Sequence, residues 1–568
     1  MMGGKPYQII SGELHFQRIP VAYWKDRLQE AKAMGLNTIA TYIFWNRIEP
    51  KRGEWNFSGR NDLRKFIKLA QQVGLNVLLR PGPYSCGEWS FGGLPPWLLN
   101  IPHIKVRSSN PQYMKAVKSY EAAVSRQIKG LQNPDGPIIM VQIENEYGSY
   151  GDDKSYLKQL AAWWRKDGIH VPFYTADGAA KSNLEAGGIP GAAVGLDPGT
   201  SQKQFDLASK IRPNVPIFCS EYYPGWLTHW RDKKWAHVDT TRIVKDINWF
   251  MQHHKSFNLY MFNGGTNFGF TAGANYSDHY EPDVTSYDYD APLNEMGEPT
   301  PKYYAIRRAI SKHLPNSKKP PAVPAHPAVT TIPPIQFNQK TSIWDHLPKP
   351  KDVAQPRPME AFGQNHGYTL YRTKLLGVTH GKLRIFDLHD FATVFLDGKF
   401  IGTIDRSLGQ SSIKIPQIDD PHPTLDILVE AMGRINFGPR IIDRKGITHR
   451  VQLGYMTLMN WQVYNIPMQS SWVQNLSFRA QTSVSRPGTF FKAHFNLQKT
   501  GSTYLDMSKW KKGFVWVNGH NLGRYWDVGP QQRLYCPGAW LHKGKNTIVV
   551  FDMLKQNPST VAGKKQLE

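Results

Sequence analysis

Cysteine is scarce in this 568-residue chain, and Cys86, Cys219 and Cys536 are too scattered and too odd in number to imply a disulfide framework or a cysteine-held metal. No apolar run is long enough to span a bilayer, so membrane insertion is not expected. Met1-Met2-Gly3-Gly4 leads into the first strand without a basic region followed by an apolar one. The expected compartment is the periplasm or the cell exterior, with a leader absent from this sequence; the cytoplasm is the alternative. No His cluster or acidic triplet has metal-ligand spacing, and no metal or cofactor is expected. Blocks of like charge are also missing. The formal charge of +24 would by itself suggest a nucleic-acid partner, yet the basic residues are spread along the chain in pairs such as Lys233-Lys234 and Lys318-Lys319, without a recognition motif. Nucleic acid is therefore not expected, and oligomeric state is not legible.

Aromatic residues, by contrast, are abundant: 18 Trp, 26 Tyr and 26 Phe. Large cores account for such a surplus, and so does a surface that stacks on sugar rings. The length requires several domains. In the first 315 residues, apolar runs alternate eight times with amphipathic helices, the strands being expected at 8–15, 37–45, 76–82, 138–147, 173–178, 194–198, 216–223 and 258–265. Leu63, Phe66, Ile67, Ala70 and Val73 mark one helix, and Gly35, Gly74 and Gly168 sit where helices end and strands soon begin. Helix-to-strand turns are short, whereas the strand-to-helix connections after Arg80 and Gly264 are long and rich in Gly, Pro and aromatics. This is the pattern of a (β/α)8 TIM barrel whose chemistry sits on the face carrying the long loops.

A Pro-rich linker is expected over 316–360, then two all-β, jelly-roll-like sandwich domains over 361–475 and 476–568. The two domains look related. Val394-Phe395-Leu396-Asp397-Gly398 and Val515-Trp516-Val517-Asn518-Gly519 both read as hairpins turning on Asp-Gly or Asn-Gly. Buttressing is the plain role for these domains; sugar binding through Trp516, Tyr525 and Trp526 is the alternative.

The run Ile138-Ile139-Met140-Val141-Gln142-Ile143 ends in Glu144-Asn145-Glu146-Tyr147, and Pro216-Ile217-Phe218-Cys219-Ser220 delivers Glu221. Acids at other strand ends, such as Glu13, Asp177 and Asp197, read as ion-pair partners or loop anchors. Strand alternation points Glu144 and Glu146 the same way until the strand ends, and the acid nearer the mouth is the better proton donor. Glu146 and Glu221 then flank one sugar ring across the barrel mouth, compatible with the ~5–5.5 Å separation of a retaining glycosidase. In that scheme Glu146 is acid/base, Glu221 nucleophile, and Asn145 a partner for the sugar 2-hydroxyl.

These stretches resemble glycoside hydrolase family 35, the β-galactosidases. Ser11-Gly12-Glu13-Leu14-His15-Phe16, Gly82-Pro83-Tyr84-Ser85-Cys86-Gly87-Glu88-Trp89, Gly92-Gly93-Leu94-Pro95, Gln142-Ile143-Glu144-Asn145-Glu146-Tyr147-Gly148, Ser220-Glu221-Tyr222-Tyr223-Pro224-Gly225-Trp226 and Ser286-Tyr287-Asp288-Tyr289-Asp290 resemble that family's motifs in order. The resemblance extends into the β domains. It implies the same roles for Glu146 and Glu221 and adds galactose contacts at Tyr42, Cys86, Gly87, Glu88, Asn145, Tyr260 and Tyr289. Gly87 stands where many members carry Ala, which implies a looser 6-hydroxyl pocket, and Asn263 where some carry an apolar residue, which bears on subsite polarity. The expected function is an exo-acting, retaining β-galactosidase acting on terminal β-linked galactose of a glycan. An exo-β-glucosaminidase on the same scaffold and a non-catalytic carbohydrate-binding protein are the competing readings.

Overall fold

A computed structural model describes residues 3–480 and 484–568. Eight parallel strands, β1 (Ile10–Leu14), β2 (Thr38–Tyr42), β3 (Asn76–Arg80), β4 (Ile138–Gln142), β5 (Phe173–Asp177), β6 (Ala193–Leu196), β7 (Ile217–Tyr222) and β8 (Phe257–Asn263), form a closed barrel. The pairing of Ile10 with Phe257 closes it. Helices pack outside the strands for the reason their periodicity gives. In the helix Leu63–Val73, Leu63, Phe66, Ile67 and Ala70 are buried, and each large side chain contributes about 1.5–3 kcal/mol. Asp62 caps its start by accepting from the Lys65 amide at 3.0 Å, and Gly74 ends it at φ 78°, a left-handed conformation that glycine adopts without strain.

Inside the barrel, residues two apart share a face. Ala40, Leu78, Met140, Tyr174 and Phe218 form an apolar floor. One step nearer the C-terminal mouth, Tyr42, Arg80 and Gln142 follow Ala40, Leu78 and Met140, so the interior changes from apolar to charged within one layer.

Beyond the barrel lie two antiparallel β-sandwiches. The first packs a six-stranded sheet against a four-stranded one over a core that includes Tyr371, Leu383, Val394, Ile427 and Trp461. The second pairs five strands with four around Phe491, Trp510, Val515 and Val550. Both expected hairpins form, with positive φ at Asp397-Gly398 and Asn518-Gly519. Each carries the same irregularity, after Val394 in one and after Val515 in the other.

The Pro-rich stretch, expected as a stiff linker with a short strand near 330–337, contributes three strands. Ile332–Ile335 and Gln339–Ser342 join the two sheets of the second sandwich, and Lys351–Val353 joins the first. Pro333 and Pro334 lack amide hydrogens, and Ile332–Ile335 lies at a sheet edge with both prolines exposed and both isoleucines buried. The chain thus visits its last domain before building the middle one. Trp516, Tyr525 and Trp526, the candidates for a sugar platform, are buried, Trp516 and Trp526 where the sandwiches meet the barrel loops and Tyr525 in the core of the second sandwich. They are core residues. Among the described residues no helix is long and apolar enough to cross a membrane.

Candidate active site

β4 ends at Gln142, and the backbone beyond it is strongly contorted. Glu144 and Glu146 both have left-handed φ, 59° and 47°. The same holds for Cys86, Gly87 and Glu88 after β3 and for Tyr289 and Asp290 in the loop after β8. A non-glycine residue in that region costs roughly 1–3 kcal/mol, and such strain gathers at functional sites.

The turn after Gln142 breaks the alternation expected for Glu144 and Glu146. Glu144 swings to Arg107, which reaches its carboxylate at 3.0 and 2.8 Å, and accepts from Tyr156 at 3.0 Å. Arg107 also donates to the Asn145 carbonyl at 2.6 Å, so the Glu144–Arg107 pair fixes the turn itself. Glu146 projects into the mouth, where, among the described residues, only the Asn145 amide hydrogen-bonds its carboxylate, at 3.4 Å. Part of its surface stays open to the pocket.

Glu221, on β7, is buried and heavily hydrogen-bonded. One oxygen accepts from Tyr42 at 3.1 Å and from Arg80; the other accepts from Tyr223 at 3.1 Å. Arg80 is the hub. It also bonds Glu13, Gln142 at 2.6 Å and Asn145 Oδ1 at 2.8 Å. Asn145 Oδ1 is thereby satisfied, which turns its amide nitrogen toward Glu146 and the space above it.

Burial pushes both catalytic candidates upward in pKa, but with different opposition. At Glu146 the Glu221 charge adds to burial, and the carboxyl is raised to about 8. At Glu221 the directly bonded Arg80, with the Tyr42 hydroxyl, opposes burial. A single proton shared between the two therefore resides on Glu146. Asp197, which shares the Tyr223 hydroxyl with Glu221, is pushed well above the usual carboxylate range by burial and by Glu221 and Glu146.

The remaining expected residues line the same mouth. The Tyr260 ring lies 6.3 Å from Tyr42 and 5.6 Å from Tyr289, centroid to centroid. The Tyr260 hydroxyl meets Tyr287 at 3.1 Å, and Tyr287 donates to Glu88. Burial raises the Glu88 carboxyl and holds the Cys86 thiol protonated, so Cys86 is no nucleophile. A methyl group on Gly87 would sit 3.4 Å from Phe44 and 3.6 Å from the Tyr260 hydroxyl, ordinary contacts; the glycine answers to its φ of 61° rather than to pocket volume. Asn263 is buried and donates to the Leu293 and Asn294 carbonyls at 3.2 and 2.8 Å, so it anchors a loop instead of tuning a subsite.

Several contributors were not singled out from sequence. Arg80 carried one signal, a lone cation closing an apolar strand. Tyr223 stands in the Ser220–Trp226 motif without a role of its own, and from sequence Asp197 reads as an ion-pair partner or loop anchor rather than as part of the site. Asn436 carried none: it comes from the first sandwich, whose loop pairs Ile435 with Ala274, accepts the Tyr84 hydroxyl at 2.6 Å and donates to Cys86 Sγ at 3.5 Å. The second sandwich braces the opposite wall, with the Arg524 carbonyl accepting from Thr285 at 2.6 Å and Gln531 accepting from the Ser286 amide at 2.9 Å.

The structure also gathers His389, Asp390 and Asp443, which the sequence spacing did not reveal as a group. Their carboxylates already bond Lys445 at 2.7 and 2.8 Å and Arg406 at 2.6 and 2.9 Å, which makes the group an ion network.

Comparison with known proteins gives three family-model matches: Glycosyl hydrolases family 35 over residues 1–313, a beta-galactosidase first all-beta domain over 356–467, and a beta-galactosidase galactose-binding domain over 488–546. The beta-galactosidase of Xanthomonas manihotis is 45% identical over 542 residues, spanning 94% of this chain and 89% of that protein. Beta-galactosidase 17 of Arabidopsis thaliana is 39% identical, spanning 97% of this chain and 85% of its own length. The human beta-galactosidase-1-like protein 3 is 37% identical over the same shares, 97% and 85%.

Proposed function

The chain belongs to the glycosyl hydrolases family 35, and from that premise we propose that it removes terminal β-linked galactose from glycans by a double displacement through Glu221 and Glu146. It is a glycoside hydrolase of the β-galactosidase type. The observation that carries the mechanism is the unequal setting of the two carboxyls: Glu221 bonded to Arg80, Tyr42 and Tyr223, Glu146 without a direct cation among the described residues.

Glu221, ionised, attacks the anomeric carbon while Glu146 gives its proton to the departing oxygen. A galactosyl ester on Glu221 and an ionised Glu146 result. Glu146 then takes a proton from water, whose oxygen attacks the anomeric carbon and releases Glu221. Two inversions leave the configuration retained. The Asn145 amide nitrogen, held by Arg80 and Gln142 at its oxygen, meets the 2-hydroxyl and strengthens that bond as charge develops on the ring.

Exo action is supported by enclosure. Tyr42, Cys86, Tyr260 and Tyr289 are all buried, and the loops after β3 and β8, pinned by the sandwiches, wall the pocket. Hydrolysis of a panel of aryl β-glycosides, followed by NMR, tests the reading. Galactose appearing first as the β-anomer supports it. Preferential release of glucosamine moves the substrate to the competing hexose, and tight galactose binding without turnover makes the protein a binder.

A further inference from the structure

A cleft of about 670 Å³ lies where the barrel meets both sandwiches, within the ~300–1,000 Å³ range of small-molecule sites. It is separate from the galactose pocket: neither Glu146, Glu221, Tyr42 nor Tyr260 lines it. The barrel contributes Arg47, Arg60 and Phe268, the first sandwich Gln469, and the second Asn521 and Trp540. It contains no Asp or Glu.

Arg47 and Arg60 are the unexplained feature. No carboxylate acts on either among the described residues, and the Arg47 Nε is buried without a hydrogen-bond partner. Arg60 donates to the Gln17 carbonyl at 3.1 Å and lies over Phe268 and Trp540, at 4.9 and 5.8 Å from the ring centroids. Burial, with the neighbouring Arg47 charge, lowers Arg60 to about 9, and burial alone lowers Arg47. Two half-buried like charges without a counterion among the described residues are costly, and a bridging anion offsets that cost. Other cations here are already matched: Arg434, which lines the same cleft, is bonded to Glu360.

We propose that this cleft binds an anionic saccharide, with its carboxylate or sulfate bridging Arg47 and Arg60 and its ring beside the stacked His520–Trp540 pair, whose centroids lie 4.5 Å apart. Guanidinium pairs suit planar or tetrahedral oxyanions. The aromatic and amide lining, with the Asn521 amide nitrogen and the Gln469 side chain free of partners among the described residues, suits a sugar ring and its hydroxyls. The net charge of +24 draws such polymers toward the surface. The choice of a saccharide rests on the galactosidase reading; the anion site stands on the arginines alone.

Isothermal titration of the full-length protein with trigalacturonate, a sulfated disaccharide, a neutral disaccharide and inorganic sulfate tests this. None of the acidic probes needs to carry galactose, so the result is independent of catalysis. Saturable binding of an acidic saccharide that weakens about tenfold or more in Arg60→Gln, with aryl-galactoside turnover unchanged, supports the proposal. The better of the two acidic ligands tells a uronate from a sulfated glycan. Arg47→Gln should weaken binding similarly, and Arg60→Lys should restore part of it. Absence of saturable binding by both acidic saccharides, undiminished binding in Arg60→Gln, or inorganic sulfate binding as tightly as the saccharides would overturn it.

Discussion

Two buried charge clusters in this molecule use the same residue types to opposite ends. In the first sandwich, Asp390 and Asp443 are matched by Lys445 and Arg406. Against burial, which pushes both carboxyls upward, those cations hold them below the usual range. At the barrel mouth the acids outnumber the cations. Glu13, Glu88, Glu146, Asp197 and Glu221 share Arg80 and Arg18, and all five carboxyls are pushed upward by burial. A balanced cluster settles into fixed charges and holds structure together. An acid-rich one must retain protons, and the geometry decides which acid keeps one. That surplus is what lets Glu146 donate.

Replacing the mouth's ionised member should have the largest effect. Glu221→Gln is expected to cut kcat by ~10⁴-fold or more and to abolish labelling by a 2-fluoro galactoside. An adduct that persists on another residue would end the assignment. Glu146→Gln should lower kcat/KM by about 10²–10⁴ on alkyl galactosides, whose leaving groups need the proton, and far less on activated aryl galactosides. Equal losses on both would remove Glu146 from the acid role.

The balanced cluster should answer in stability alone. Lys445→Met leaves two buried aspartates to share Arg406 and should cost about 3–5 kcal/mol in chemical denaturation, with kcat of the folded fraction unchanged. Glu144 gives an internal control two residues from Glu146. Glu144→Gln loosens the Arg107 clamp, and is expected to cost ~1–3 kcal/mol and to lower turnover of good and poor leaving groups alike.

The smallest effect is a limb in the pH profile. With Glu146 at about 8, kcat/KM should fall about tenfold per unit above that pH, as the acid form is lost. The stability sign is the reverse of the usual carboxylate. The folded group binds its proton more tightly than the unfolded chain, so its contribution is complete below the ordinary glutamate range and is lost as pH rises toward 8. A wild-type limb identical to that of Glu146→Gln would break the assignment.

Much of this contrast was readable in advance, and the unread part has a physical pattern. Barrel strands and hairpins are local: period, turn residues and strand-end acids declare them, and Glu146 and Glu221 stood out because each closes an apolar run. What stayed hidden depends on contacts across hundreds of residues. Asn436 reaches Cys86 from another domain, Pro333 and Pro334 sit in a strand whose partner is Val561–Lys564, and the Trp516 and Trp526 rings are buried at a domain junction. The alternation rule failed at Glu144 because two left-handed residues in three turn the chain, and sequence does not announce positive φ outside glycine.

The central claim is that the acid-rich mouth stores its proton on Glu146. Carbon-13 NMR titration of the glutamate carboxyls, assigned by comparison with Glu146→Gln and Glu221→Gln, measures this directly. Glu146 is expected to titrate near 8, with Glu221, opposed in its upward shift by Arg80 and Tyr42, losing its proton first. Glu146 titrating in the ordinary glutamate range, or Glu221 holding the proton instead, would contradict it.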